Sequence, residues 1–135
     1  YEIGGYSIAI TENTPNLPTD ANVKTLDGRK QLASGMTPKE YLNAIQTNPQ
    51  YSGESGLYTE EEIWFAISQL EKENGLVVNN FAEKGKAGYA ISNYFKASGC
   101  VPFAYWDRGV RLAVLGRDDS GDRFSNCSAR ASVKV

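Results

Sequence analysis

Histidine is absent from all 135 residues. That absence removes the commonest general base, the commonest metal ligand and every Ser-His or Cys-His nucleophile pair. Cysteine is scarce as well: Cys100 and Cys127 are the only two. Two thiols cannot supply the ligand set of a structural zinc site. No apolar run approaches the roughly 20 residues of a membrane helix, so no membrane insertion is expected. A surplus of basic residues is missing too, since 14 Lys and Arg face 16 Asp and Glu for a formal charge of −2. Nucleic acid is therefore excluded as the expected partner, because phosphate binding needs Lys and Arg gathered on one face. Gly-rich phosphate loops of the GxxxxGK and GxGxxG types are also missing. The chain begins at Tyr1 with no signal peptide visible and no Met, which suggests a processed chain or a piece cut from a longer protein.

What remains is the composition of one globular domain, residues 1–135, with 41% apolar, 11% aromatic and 22% charged residues. The densest acidic cluster of the C-terminal third, Asp118, Asp119 and Asp122, could hold a hard cation. It lacks the bidentate Glu of a calcium loop, so a solvated turn is the better reading. Asn126-Cys127-Ser128 forms one weak glycosylation sequon. The cysteines leave two readings open. One is a disulfide closing a loop of about 27 residues and contributing ~3 kcal/mol. The other, which the residues favour, is two unpaired thiols with Cys100 a small buried side chain. No catalytic residue, metal or cofactor is expected.

Along the chain, residues 4–10 alternate as a first strand, residues 11–22 read as a loop, and Asp27-Gly28 marks a turn. Thr37, Pro38 and Glu40 form a helix start with a capping box, followed by an apolar face of Tyr41, Leu42 and Ile45. Thr59 with Glu62 predicts a second box, opening a helix that Gly75 ends. Its inward face is expected from Ile63, Ile67 and Leu70, with Trp64 and Ala66 flanking. Residues 88–98 are ambiguous between a third helix and a strand. From Val101 onward the runs VPFAYW, VRLAVL and ARASVKV read as strands, separated by Asp107-Arg108-Gly109 and by the loop over residues 116–127. The order predicts an α+β fold, with helices packed against an antiparallel sheet.

The charged residues are unevenly distributed. No Glu, Lys, Gln or Met occurs among the 37 residues from Ala97 to Val133, whereas those types occur 22 times in the preceding 96 residues. Strands and turns disfavour Lys and Glu, which accounts for part of this. It does not account for Arg replacing Lys. The stretch instead carries good binding residues: Tyr105, Asp107, Arg108, Arg111, Arg117, Asp118, Asp119, Asp122, Arg123, Phe124 and Asn126. Mixed-sign polar and aromatic side chains on strands and loops are a paratope composition.

On these residues, Val101 to Val133 resembles the variable region of a diversity-generating retroelement target protein. An apolar strand ends in Trp106, a Gly-punctuated polar stretch follows, and Arg130-Ala131-Ser132-Val133 stands where that family often carries a G-S-R-P-A ending. Ser128, Ala129 and Ala131 depart from the pattern. The resemblance implies error-prone copying at template adenines, which turns AAC-type codons into NNC-type codons. Such codons cannot encode Glu, Lys, Gln, Met or Trp, so Trp106 would be scaffold. It further implies a C-type-lectin-like fold, with two helices flanking a small, mostly antiparallel sheet and a strand-rich C-terminal third. Val110, Ser120 and Ser128 join the candidate variable positions, and Cys127 would be one outcome of diversification. The implied function is non-enzymatic binding of a protein or surface ligand on a host or neighbouring cell, from a virion or cell surface. The alternative is a structural surface subunit, pilin-like or a virion decoration protein, that assembles through its C-terminal strands and carries a Cys100–Cys127 bridge. An oxidase branch of the same fold is much longer. A glycosidase would need two of Asp107, Asp118, Asp119 and Asp122 to be paired.

Overall fold

The computed structural model describes residues 9–11, 30, 32, 34–72, 87–107 and 109–134. Helix α1 spans Pro38–Thr47 and begins as the sequence predicts. Thr37 Oγ1 accepts from the Glu40 N–H at 3.2 Å, Glu40 Oε2 accepts from the Thr37 N–H at 2.7 Å, and Pro38 occupies the first turn. The box satisfies two N–H groups that a helix start leaves without partners. Tyr41 and Ile45, four apart, are buried.

Helix α2 spans Thr59–Lys72 but is capped and turned differently from the expectation. The reciprocal carboxylate belongs to Glu61, whose Oε2 accepts from the Tyr58 N–H at 2.8 Å. Thr59 Oγ1 donates to Asn93 Oδ1 instead. Glu62 is therefore free of the cap and faces inward at 3% exposure, whereas Ile63, Ile67 and Trp64 are exposed, Trp64 by 69%. The i, i+4 apolar pair thus lies on the outer side. Leu70 and Gly75 lie outside the described side chains, as do most of residues 4–22 and the Asp27-Gly28 turn.

The expected single sheet is two. The first has the order β1-β7-β2, from Ala9–Thr11, Ala131–Lys134 and Glu54–Gly56, with both neighbours antiparallel to β7. The second has the order β5-β4-β3-β6, from Leu112–Asp119, Cys100–Asp107, Ala87–Tyr89 and Cys127–Ala129. Its β3–β6 pairing is parallel and the rest antiparallel. The ambiguous segment is thus strand β3 followed by a 3-10 turn, Ile91–Asn93. The described residues form an α+β fold of two α-helices and two small sheets.

One residue joins the sheets: Arg130 alone separates β6 from β7. Its side chain is 1% exposed, with the guanidinium carbon 4.6 Å above the Phe65 ring of α2. A cation held on an aromatic face in this way ties α2 to the point where the sheets meet. The core runs between α1 and the second sheet, through Tyr41, Ile45, Tyr89, Ile91 and Val101.

Candidate functional site

The longest strand pair, β4–β5, runs in register from Cys100↔Asp119 to Asp107↔Leu112. Directly opposite residues share a side of a sheet and successive ones alternate. Val101, Phe103, Tyr105, Val114, Gly116 and Asp118 therefore occupy one side, and Pro102, Ala104, Trp106, Ala113, Leu115 and Arg117 the other. Tyr41 of α1 lies 6.2 Å from the Tyr89 ring, so α1 covers the first side. On the second, Leu115 is 60% exposed.

This alternation divides the predicted binding residues. Tyr105, Asp107 and Asp118 face the side that α1 partly covers, and Arg117 and Asp119 face the other. Val110 and Arg111 sit at the hairpin tip, both exposed, and Arg111 adopts φ 56°, the left-handed region. Arg108 lies outside the described residues. Asp122, Arg123, Phe124 and Asn126 form an exposed loop at the opposite end of the hairpin. Ser120 and Ser128 are interior, at 1% and 0% exposure. Neither can meet a partner surface directly, since the ladder continues through Ser120 to Gly99 and β6 is covered throughout.

Several predicted side chains hold the scaffold. Asp107 Oδ1 accepts from the Gly109 and Val110 N–H groups at 2.8 and 3.3 Å and thereby closes the hairpin turn. Asp119 Oδ1 accepts from the Gly121 N–H at 2.8 Å. Arg123 donates to the Gly35 carbonyl at 2.9 Å and to Glu40 Oε1 at 2.6 Å, which binds the loop to the start of α1. The backbone N–H of Thr37 and the Arg123 guanidinium hold the Glu40 carboxyl below its ordinary range.

The sequence reading missed an aromatic ladder. Rings run from Tyr41 to Tyr89, then to Phe103 edge-on at 6.5 Å, then to Tyr105 stacked at 6.0 Å. Phe103 and Tyr105 are half-buried. Their spacing of two within VPFAYW is the signal that puts both rings on one side of a strand. Tyr89 donates its hydroxyl to Asp118 Oδ2 at 3.2 Å. Burial pushes the Asp118 carboxyl above its ordinary range, the Tyr89 hydroxyl pulls it back, and the charge of Asp122 raises it again. Burial likewise pushes the Tyr89 phenol far up.

Cys100 and Cys127 form no disulfide. Cys127 lies opposite Ala87, and the β3–β4 register places Ala87 level with Tyr105, five residues from Cys100. That spacing is about 16 Å along the strand, far beyond disulfide reach. No group of three or more metal-ligating side chains forms among the described residues. No helix there is long and apolar enough to cross a membrane. No protein-family model, curated protein or solved structure matches the chain.

Proposed function

We propose that this chain is a non-enzymatic ligand-binding domain with a C-type-lectin-like fold, whose surface is varied by a diversity-generating retroelement. Its partner is a protein or surface ligand on a host or neighbouring cell, met from a virion or cell surface. The surface consists of the β4–β5 hairpin, its tip and the loop over residues 121–126.

One observation carries the reading. The stretch without Glu, Lys, Gln or Met contains that hairpin and loop, and its residues from Gly109 to Asn126 are mostly exposed. Burial would be the ordinary cause of missing Lys and Glu. Here the solvated positions lack them, while the exposed half of α1 and the first turn of α2 use them freely. A coding constraint acts on exposed and buried positions alike, whereas a packing constraint does not. The two-helix, two-sheet architecture is compatible with the fold. The wide separation of Cys100 and Cys127 favours a binder over a structural subunit, because the subunit reading drew on their bridge.

The test is the nucleotide sequence of the gene and a few kilobases around it. The reading expects a near-copy of the segment for Val101 to Val133, differing mainly at adenines, beside a reverse transcriptase. A locus without such a copy overturns it.

A further inference from the structure

We propose that strand β5 is an assembly edge: two copies of this chain pair antiparallel through Leu112–Asp119, centred on Leu115, and join their second sheets into one. This inference goes beyond the ligand-binding reading and does not need it.

Strand β5 lies at the end of its sheet, and among the described residues it pairs with β4 alone. Two hydrogen bonds fix which way its backbone groups point. Ala90 donates its N–H to the Pro102 carbonyl at 2.9 Å, so the even-numbered residues of β4 turn toward β3 and the odd ones toward β5. Ser120 donates its N–H to the Gly99 carbonyl at 2.7 Å, which likewise turns the even-numbered residues of β5 toward β4. Backbone groups alternate along an antiparallel ladder, so Ala113, Leu115, Arg117 and Asp119 present their N–H and C=O groups at the open edge. Such an edge is a template for another strand, and natural proteins blunt it with Lys, Pro, a bulge or brevity. Strand β5 has none of these. It contains no Lys or Pro, its register with β4 is unbroken, and it is 8 residues long against a usual length of about five or six.

The side chains at this edge are self-complementary. Two identical edges related by a twofold axis across the sheet pair about a single residue, and two such centres engage nearly the whole strand. About Gly116, Arg117 stands against Leu115 and Asp119 against Ala113, so no charge meets its opposite. About Leu115, that residue meets its own copy, which covers a side chain otherwise 60% exposed. Arg117 then lies opposite Ala113, whose small side chain leaves room for the arginine stem. Arg111 comes level with Asp119 of the second copy, and the axis repeats the pair. Both residues are exposed, and no ion pair holds Arg111 among the described residues. Ala113, Leu115 and Arg117 lie on the side of the sheet opposite α1. Charge complementarity therefore selects a second copy as the occupant. A twofold axis uses each edge once, so the product is a closed dimer and not a fibre.

The test measures the mass of the full chain by sedimentation from micromolar to millimolar concentration, with amide hydrogen exchange followed by NMR at both ends of the range. A concentration-dependent dimer is expected, in which the outward amides of Ala113, Leu115 and Arg117 exchange about tenfold more slowly or slower still. Leu115→Lys, at an exposed position, should fold and stay monomeric, because the axis would bring two ammonium groups together. Arg111→Asp should weaken the dimer about tenfold, with an Asp that tolerates the left-handed φ of 56°. A chain monomeric throughout, a dimer in which those amides stay fast, or undiminished dimerisation of either folded variant overturns the proposal. A gene without a template copy would leave the dimer standing, and a monomeric chain would leave the diversified binder standing.

Discussion

Phe103 lies across Gly116, so that a Cβ added to the glycine would fall 2.5 Å from the ring's Cζ. The ring cannot simply swing away, because Tyr89 meets one flank and Tyr105 stacks on another. Replacing Gly116 with Val should displace Phe103 and disturb the ladder, at a cost of about 1–3 kcal/mol. Urea unfolding measures the cost, and near-ultraviolet circular dichroism detects loss of the stacked rings. An unchanged aromatic spectrum would contradict the close approach.

Gly56 is tighter. A Cβ there would fall inside the Ile91 side chain, with Cδ1 2.7 Å away, and Ile91 is 1% exposed. The contact seats β2 against the 3-10 turn after β3, so Gly56→Ala should destabilise by about 2 kcal/mol or more. Adding Ile91→Val should recover part of the loss. A double-mutant cycle reads the coupling.

Burial pushes the Glu62 carboxyl up to about 7, against the pull of the Arg130 guanidinium and with help from the charge of Glu61. A carboxyl raised in the folded state favours folding when protonated. Its contribution is greatest below the ordinary value of 4.5 and is lost as pH rises toward 7. A shift of that size corresponds to about 3 kcal/mol. Stability relative to Glu62→Gln should therefore fall between pH 4.5 and 7 and level off above. Parallel pH profiles of the two proteins would refute the assignment.

Arg123 and Glu40 form an exposed pair, and exposed pairs contribute little to global stability. Arg123→Ala should leave the melting temperature nearly unchanged and yet speed hydrogen exchange in residues 121–126, which lose their tie to Gly35 and Glu40. Glu40→Ala should lower the melting temperature more, because it also removes the acceptor for the Thr37 N–H. That cap bond weakens as pH falls through the lowered pKa of Glu40, since the ionised carboxylate is the better acceptor. Equal melting shifts for the two variants would argue against this division of roles.

The cysteines provide a covalent check. Both thiols should be titratable in the denatured, unreduced chain, and half-buried Cys100 should alkylate faster than buried Cys127 in the native one. Reduction should leave the melting temperature unchanged. A mass gain of two hydrogens on reduction would instead restore the bridge that the strand register excludes.

Local signals in the sequence determined local structure. The Thr37-Pro38-Glu40 start of α1 and the Asp107 turn are legible because their stabilising bonds close within a few residues. Strand β4 and the Leu112–Leu115 half of β5 are legible from their apolar β-forming runs, whereas Gly116–Asp119, which read as loop, continue β5 because they pair with Cys100–Phe103. The 97–133 change in residue usage is likewise a property of the sequence alone. Only the tertiary structure decided the rest. At α2 two acidic residues compete for one cap: Glu61 takes it, and Glu62 turns inward within range of the Arg130 charge, so the Ile63 and Ile67 repeat faces outward. Helical periodicity defines a stripe but not the neighbour that receives it. The separation of Arg117 from Asp118 follows from strand alternation, which the sequence contains. Which side α1 covers does not, and neither does the approach of Tyr89 to Asp118 across 29 positions. Such contacts depend on the order in which strands add to a sheet, and no short-range pattern encodes that order.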